Sequence, residues 1–301
     1  MIMKINALNK REEMKLSKDE QRKIVDWVFS SGRDLDIARY NYHFLNEDKM
    51  MVLHTLSIYQ NKDGGFGLGL INDSMNYNST YYATGIALKT LVEAGFDKNN
   101  NDEVFGLIFK KAFRYLQNCK DSFFPLTDKK NNKVPGSAFL KDGSKESIFV
   151  PSALIYGSLL VLLNKDNPYH KIINIRISQI LNTYLEKEFV NDELSILELS
   201  SISYLLNIIK KDMDVAKHLN KFKNDLNVFD DYHKAVINNN LVEIDNNIVD
   251  AMINNRLKAG LWNVVYNWGS NAANQEIAEI KEISKVAIDN LLILRNYNSL
   301  E

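Results

Sequence analysis

Apolar residues recur at intervals of three and four along most of this chain, and strand-like alternation is absent, so the pattern predicts helices throughout. Ser17-Lys18-Asp19-Glu20 has capping-box form, and Ile24, Trp27 and Val28 follow at helical spacing until Gly32 stops the run. A second helix starts at Asp34 or Asp36 with Ile37, Tyr40 and Phe44 on one stripe. A third carries Met50, Met51, Leu53, His54 and Leu56. After a glycine-rich turn, Asn78-Ser79 is placed to cap a helix over Thr80 to Ala94, closed by Gly95. Val104, Leu107, Ile108, Ala112, Phe113 and Leu116 mark the next. Further helices are expected over Ile148–Leu163, Pro168–Lys187 (with Asn167 as cap), Asp192–Ile209 and Val215–Phe222. An amphipathic segment begins at Ile244, and a final helix carries its stripe from Ile277 to Leu294.

The turn at Gln60-Asn61-Lys62-Asp63-Gly64-Gly65-Phe66-Gly67 cannot continue a helix, because each glycine costs about 1 kcal/mol against alanine and favours positive φ. A worn copy lies 57 residues on at Gln117-Asn118-Cys119-Lys120-Asp121-Ser122-Phe123, and another at Arg256-Leu257-Lys258-Ala259-Gly260-Leu261-Trp262, followed by Tyr266 and Trp268. Recurring turns, each preceded by a helix, are the pattern of stacked helical hairpins. With Ser79-Thr80 and Ala83-Thr84-Gly85-Ile86-Ala87-Leu88 behind it, the first turn resembles the QW-type repeat of the terpenoid cyclase and protein prenyltransferase β-subunit superfamily. Within that superfamily the chain is most similar to uncharacterised bacterial squalene-cyclase-like proteins. The resemblance is sharpest from Gly32 to Gly95 and implies an all-α fold, an α/α toroid of about five or six hairpins around a central cavity. It also implies that Phe66, Phe123 and Trp262 plug the layers while Gln60 and Gln117 bond helix ends. An open α-solenoid is the alternative, which the apolar stripe of the last helix disfavours.

With 301 residues and 45% hydrophobic content, the chain can fold as a single domain over 1–301, with a flexible segment at 1–16 and a long polar loop at 125–147. A net charge of -1 supplies no global field to attract nucleic acid or an anionic membrane. Cys119 is the only cysteine, so an internal disulfide and a cysteine-rich zinc site are both excluded. The N-terminus lacks an apolar export signal, and the run from Leu154 to Leu163 is about half of the roughly 20 residues that cross a bilayer. These features predict a cytoplasmic protein with no transmembrane segment.

Chemistry is harder to find. The Asp-x-Asp-Asp acid motif of the cyclases is absent: Asp34-Leu35-Asp36 supplies half of it and reads as helix capping. Asp230-Asp231 lacks the further carboxylate of a magnesium-binding Asp-Asp-x-x-Asp and reads as another cap. No prenyltransferase zinc triad is visible, His43 and His54 read as structural, and neither metal nor cofactor is expected. The candidate acid is Asp73, where similar bacterial sequences show Glu-Pro-Asp, with Tyr77, Tyr81 and Tyr82 as an aromatic lining able to stabilise a cation. The leading expectation is a cyclase-like cavity for an apolar, isoprenoid small molecule. A non-catalytic toroid binding a small ligand or a protein partner is the alternative, and a glycan-processing toroid with two carboxylates comes third.

Overall fold

The computed structural model describes residues 14–72, 76–118, 149–264 and 272–301. Asp73, Cys119, Phe123, Tyr266, Trp268 and the 125–147 loop lie outside the described residues. The fold is all-α, with only isolated β-bridges among the described residues. Its helices are α1 Lys18–Ser31, α2 Asp34–Leu45, α3 Lys49–Ser57, α4 Tyr81–Glu93, α5 Glu103–Gln117 and α6 Phe149–Leu162, then α7 Tyr169–Glu186, α8 Glu193–Ile209, α9 Ala216–Leu226, α10 Asp231–Asn238, α11 Asn246–Asn254 and α12 Ala272–Asn296.

Local signals set most boundaries. Ser17 and Glu20 form the reciprocal capping box that starts α1, and Asp102, Asp192 and Asp230 each accept a backbone N–H at the start of α5, α8 and α10. Asn167 accepts from the Tyr169 N–H at 3.0 Å. Two expected caps differ. The α4 cap is Thr80, whose hydroxyl accepts from Ala83, rather than Asn78-Ser79. Neither Asp34 nor Asp36 caps α2; Arg33 holds that position without a side-chain bond, because Asp36 turns inward to pair with Arg33 itself.

The even-numbered helices contact one another in chain order from α4 through α6, α8 and α10 to α12, and α12 returns to α2. Arg39 of α2 bridges the remaining step to α4 through Glu93. The odd-numbered helices lie against this circuit: α1 on α2 and α12, α3 between α2 and α4, α7 on α6, α9 on α8 and α10, and α11 on α10. Helix α6 is buried on every side, including Ser152 and Ser158, as a sequence hydrophobic all round requires. Gly85 lets α4 approach it closely, since a Cβ there would stand 3.2 Å from Leu154 Cβ. Leu16, the last residue of the segment expected to be flexible, is fully buried, and its N–H donates to the Ser299 carbonyl at 2.9 Å, so the two described ends of the chain are tied together.

The first and last of the repeated turns share one construction, the second lying largely outside the described residues. In the first, Gln60 and Phe66 form an antiparallel bridge, the Asn61 N–H donates to the Gly65 carbonyl at 2.8 Å, and the Gly64 N–H to Asn61 at 3.0 Å. In the last, Arg256 pairs with Trp262, Leu257 donates to Leu261 at 2.7 Å, and Gly260 to Leu257 at 2.8 Å. Gly64 and Gly260 occupy equivalent places with φ of 95° and 85°, a left-handed conformation that side chains resist. Phe66 and Trp262 are both buried as plugs, and Trp262 Nε1 donates to the Met252 carbonyl at 2.8 Å. Gln60 Nε2 donates to the carbonyls of Gly64 and of Ile108 in α5, each at 2.9 Å, tying the turn to the next helix.

Candidate functional site

The inner faces of α2, α4 and α12 enclose a cavity floored by Leu70, Ile71 and Asn72 of the loop that follows the first glycine turn. Each helix contributes one stripe at helical spacing: Asp36 and Arg39 from α2, with Arg33 at its N-cap; Tyr82, Ile86, Lys89 and Glu93 from α4; Glu282, Lys285 and Asp289 from α12. The lining therefore carries four cations and four carboxylates. The space left between them is about 50 Å³, enough for a few water molecules.

Charge pairing fills most of the volume. Arg33 grips Asp36 bidentately, through Nε at 2.8 Å and a second nitrogen at 2.9 Å, while its remaining nitrogen donates to the Leu70 carbonyl at 2.8 Å. Arg39 does the same with Glu93, at 2.8 and 3.0 Å, and reaches across to Asp289 of α12 at 2.6 Å. His43 Nε2 lies 3.0 Å from Glu93 Oε1. Lys285 donates to Glu282 at 2.8 Å and stands 3.4 Å from Asp289, and Asn72 Nδ2 donates to the other Glu282 oxygen at 2.7 Å. Such planar, bidentate guanidinium contacts are the strong form of the ion pair, and here they weld three helices into one unit.

The pairs dictate protonation. Burial pushes the Glu93 carboxyl up, but Arg39 and His43 reverse this and hold it well below its ordinary value. Asp289 is likewise held low, burial being outweighed by Arg39 and then Lys285. Lys285, disfavoured by burial, is raised by Glu282 and Asp289. Lys89 goes the other way: burial lowers it, and the fields of Asp289 and Glu93 only partly compensate. It makes no hydrogen bond or ion pair among the described residues. Its ammonium lies over the ring of Tyr204 of α8, 5.8 Å from the centroid, and the Tyr204 hydroxyl is taken up at 2.8 Å by Ser158 of α6. Asn72 Oδ1 is also buried and without a donor among the described residues.

Of the candidate acid and its aromatic lining, Tyr82 is the described residue that borders this cavity, and Asp36, read from the sequence as a helix cap, borders it too. Tyr77 is 68% exposed. Tyr81, one position before Tyr82 and so about 100° around the helix, turns to α5 and packs on Tyr115, with ring centroids 5.5 Å apart. Asp73 follows Asn72 directly, outside the described residues. Asp230 is a helix cap bonded to His233, His54 is exposed, and His43 belongs to the Arg39 network. Among the described residues no group of three or more His, Cys, Asp or Glu side chains is arranged to hold a metal ion, and no helix is long and apolar enough to cross a membrane. The decisive residues, Arg39, Lys89, Glu93, Glu282, Lys285 and Asp289, were missed by sequence reasoning. The signal that could have found them is a charged stripe at helical spacing on helices otherwise made of core residues. Comparison of the chain with protein-family models, with curated proteins and with solved structures finds no significant match.

Proposed function

We propose that this chain is a non-catalytic α/α ring that binds a small polar molecule in the cavity between α2, α4 and α12. The ring reading draws support from the order of the inner helices and the return of α12 to α2. The observation that carries the binding reading is the charged, closely paired lining, in which Lys89 alone lacks a partner of opposite charge among the described residues. A cyclase acid must hold its proton at working pH, whereas Glu93 and Asp289 are kept ionised by Arg39. An apolar polyprenyl chain gains nothing from a wall of ion pairs. The 50 Å³ available is also far below the roughly 300–1,000 Å³ of sites that enclose drug-sized ligands.

The test is a thermal-shift and calorimetric screen of the full chain against short carboxylates, amino acids and polyols. Linear isoprenoids and their diphosphates run in parallel, with extracts analysed for new products. Stabilisation by a small polar compound without turnover is the expected result, since a ligand that binds only the native state raises its stability in proportion to ln(1 + [L]/Kd). A cyclised product, lost in Asp73→Asn with folding intact, would overturn this reading in favour of cyclase chemistry.

A further inference from the structure

A groove of about 560 Å³ separates the start of α10 from the face of α11 that carries Asn247, Asp250, Ala251 and Asn254, and it shares no lining residue with the cavity between α2, α4 and α12. Its volume falls within the roughly 300–1,000 Å³ of small-molecule sites. Three carboxylates line it, Asp230, Asp231 and Asp250, and no Lys, Arg or His stands among the described lining residues. Two of the three are already engaged. Asp230 caps α10 and accepts from His233 Nδ1 at 2.7 Å, and Asp231 accepts from Lys234 at 2.9 Å. Asp250 differs: it is 9% exposed and makes no hydrogen bond or ion pair among the described residues. Neither of its oxygens is sealed from solvent, so the open part of the carboxylate faces the groove.

An unpaired carboxylate nine-tenths withdrawn from water costs free energy, and a cation in the groove offsets that cost. Lys234 neutralises one of the three charges, and a neutral imidazole suffices for the His233 bond, so two negative charges face the groove. A divalent metal ion is the poorer match, since no group of three or more His, Cys, Asp or Glu side chains among the described residues is arranged to hold one. An organic cation needs no such cage. We infer that the groove takes a small aliphatic diammonium, a polyamine, with one ammonium on Asp250 and the other charge toward Asp230 and Asp231 at the start of α10. Between Asn247 and Asn254 the lining face of α11 runs for about 10 Å at 1.5 Å per residue, with Ala251 as apolar surface for the alkyl chain. The amide oxygens of an asparagine accept from an ammonium, and the Tyr232 ring offers a cation face while its hydroxyl accepts from Asn290 at 3.3 Å.

Calorimetric titration of the full chain with putrescine and its longer homologue cadaverine tests this, in wild type, Asp250→Asn and Asp230→Asn, with butylamine, butanediol and magnesium as comparisons. A diamine is expected to bind, butylamine to bind about tenfold weaker or worse, and butanediol not at all, with the affinity for the diamine falling as salt rises. Asp250→Asn weakens the diamine by about tenfold to a hundredfold, the loss of a hydrogen bond to a charged group. Without ligand it melts no lower than wild type, because the charge it removes is unpaired. Asp230→Asn keeps the helix cap, for which Asn serves as well as Asp, and lowers the affinity. No binding of either diamine, butylamine or butanediol binding as tightly, magnesium binding tighter, affinity unchanged in Asp250→Asn, or an Asp250→Asn protein that melts lower would each overturn the diammonium assignment. So would binding of a lysine-rich peptide by a protein that ignores both diamines. The Lys89 cavity stands or falls separately, since neither variant touches its lining.

Discussion

Replacing Arg39 with Met tests the central network. Arg39 is the one side chain among the described residues that bonds both Glu93 of α4 and Asp289 of α12, so its removal unfastens these contacts of α2 and strands two carboxylates. Removing one partner of a buried pair costs about 3–5 kcal/mol, most of it from the charge left behind. Here the lower end applies, because the Asp289 side chain is 35% exposed and keeps Lys285, and Glu93, at 21%, keeps His43. About 3 kcal/mol corresponds to a fall in melting temperature of about 6 °C or more for a chain of this size. Because the folded carboxyls of Glu93 and Asp289 sit below their ordinary values of 4.5 and 3.8, the stabilisation is complete above those values and is lost as pH falls through them toward the lower folded ones. The gap between wild type and Arg39→Met, followed by calorimetric melting from pH 8 down to pH 3, therefore narrows at the acid end. The triple variant Arg39→Met, Glu93→Gln, Asp289→Asn recovers part of the loss at neutral pH, since no charge is stranded. A single variant that melts within a degree of wild type, or a gap that does not change with pH, would refute the reasoning.

Three further outcomes are expected. His218 of α9 is buried with neither ring nitrogen bonded, and burial holds its pKa below 6.5, so the unfolded chain takes up its proton first; stability declines as pH drops below about 6.5, and His218→Leu removes that component from a pH series of denaturant melts. Gly260→Ala costs only the left-handed backbone strain, about 1–2 kcal/mol, because among the described residues no atom lies within 4 Å of a Cβ there. Gly64→Ala costs more, its Cβ falling 2.3 Å from the Lys111 carbonyl oxygen, so equal losses in the two variants would contradict the close approach of α5 to the first turn. Trp262→Phe keeps the plug but frees the buried Met252 carbonyl, with an expected loss of about 1–3 kcal/mol by chemical denaturation.

Much of the scaffold is legible in the sequence because its determinants are local. Ser17 and Glu20 announce α1 three residues apart, Asp192 announces α8, and the apolar run of α6 announces burial on every side. The likeness of the turns at Gly64 and Gly260 survives in two glycines and two aromatic plugs, since a positive φ and a filled layer both demand a narrow choice of residue. Helix α10 is less legible: eight residues span little more than two turns, too few to fix a period, and only its cap Asp230 signals it.

The cavity stayed hidden for a different reason. Hydrophobic periodicity finds the face of a helix that packs on its neighbours, and charges on the remaining face look the same whether they meet water or one another. Arg33, Asp36 and Arg39 read as the polar side of a surface helix, and Asp36 in particular reads as a cap, yet it is fully buried. What separates the two cases is pairing in space. A solvated face has no need to balance its charges, whereas a closed lining pays for any imbalance in desolvation, and here four cations meet four carboxylates drawn from three helices that are distant in sequence. Against that near-complete pairing, the loose ends acquire meaning. An unpaired lysine on a surface is ordinary, but Lys89 lines a cavity whose other charged side chains all have a partner of opposite charge, and its ammonium is where a ligand has something to gain.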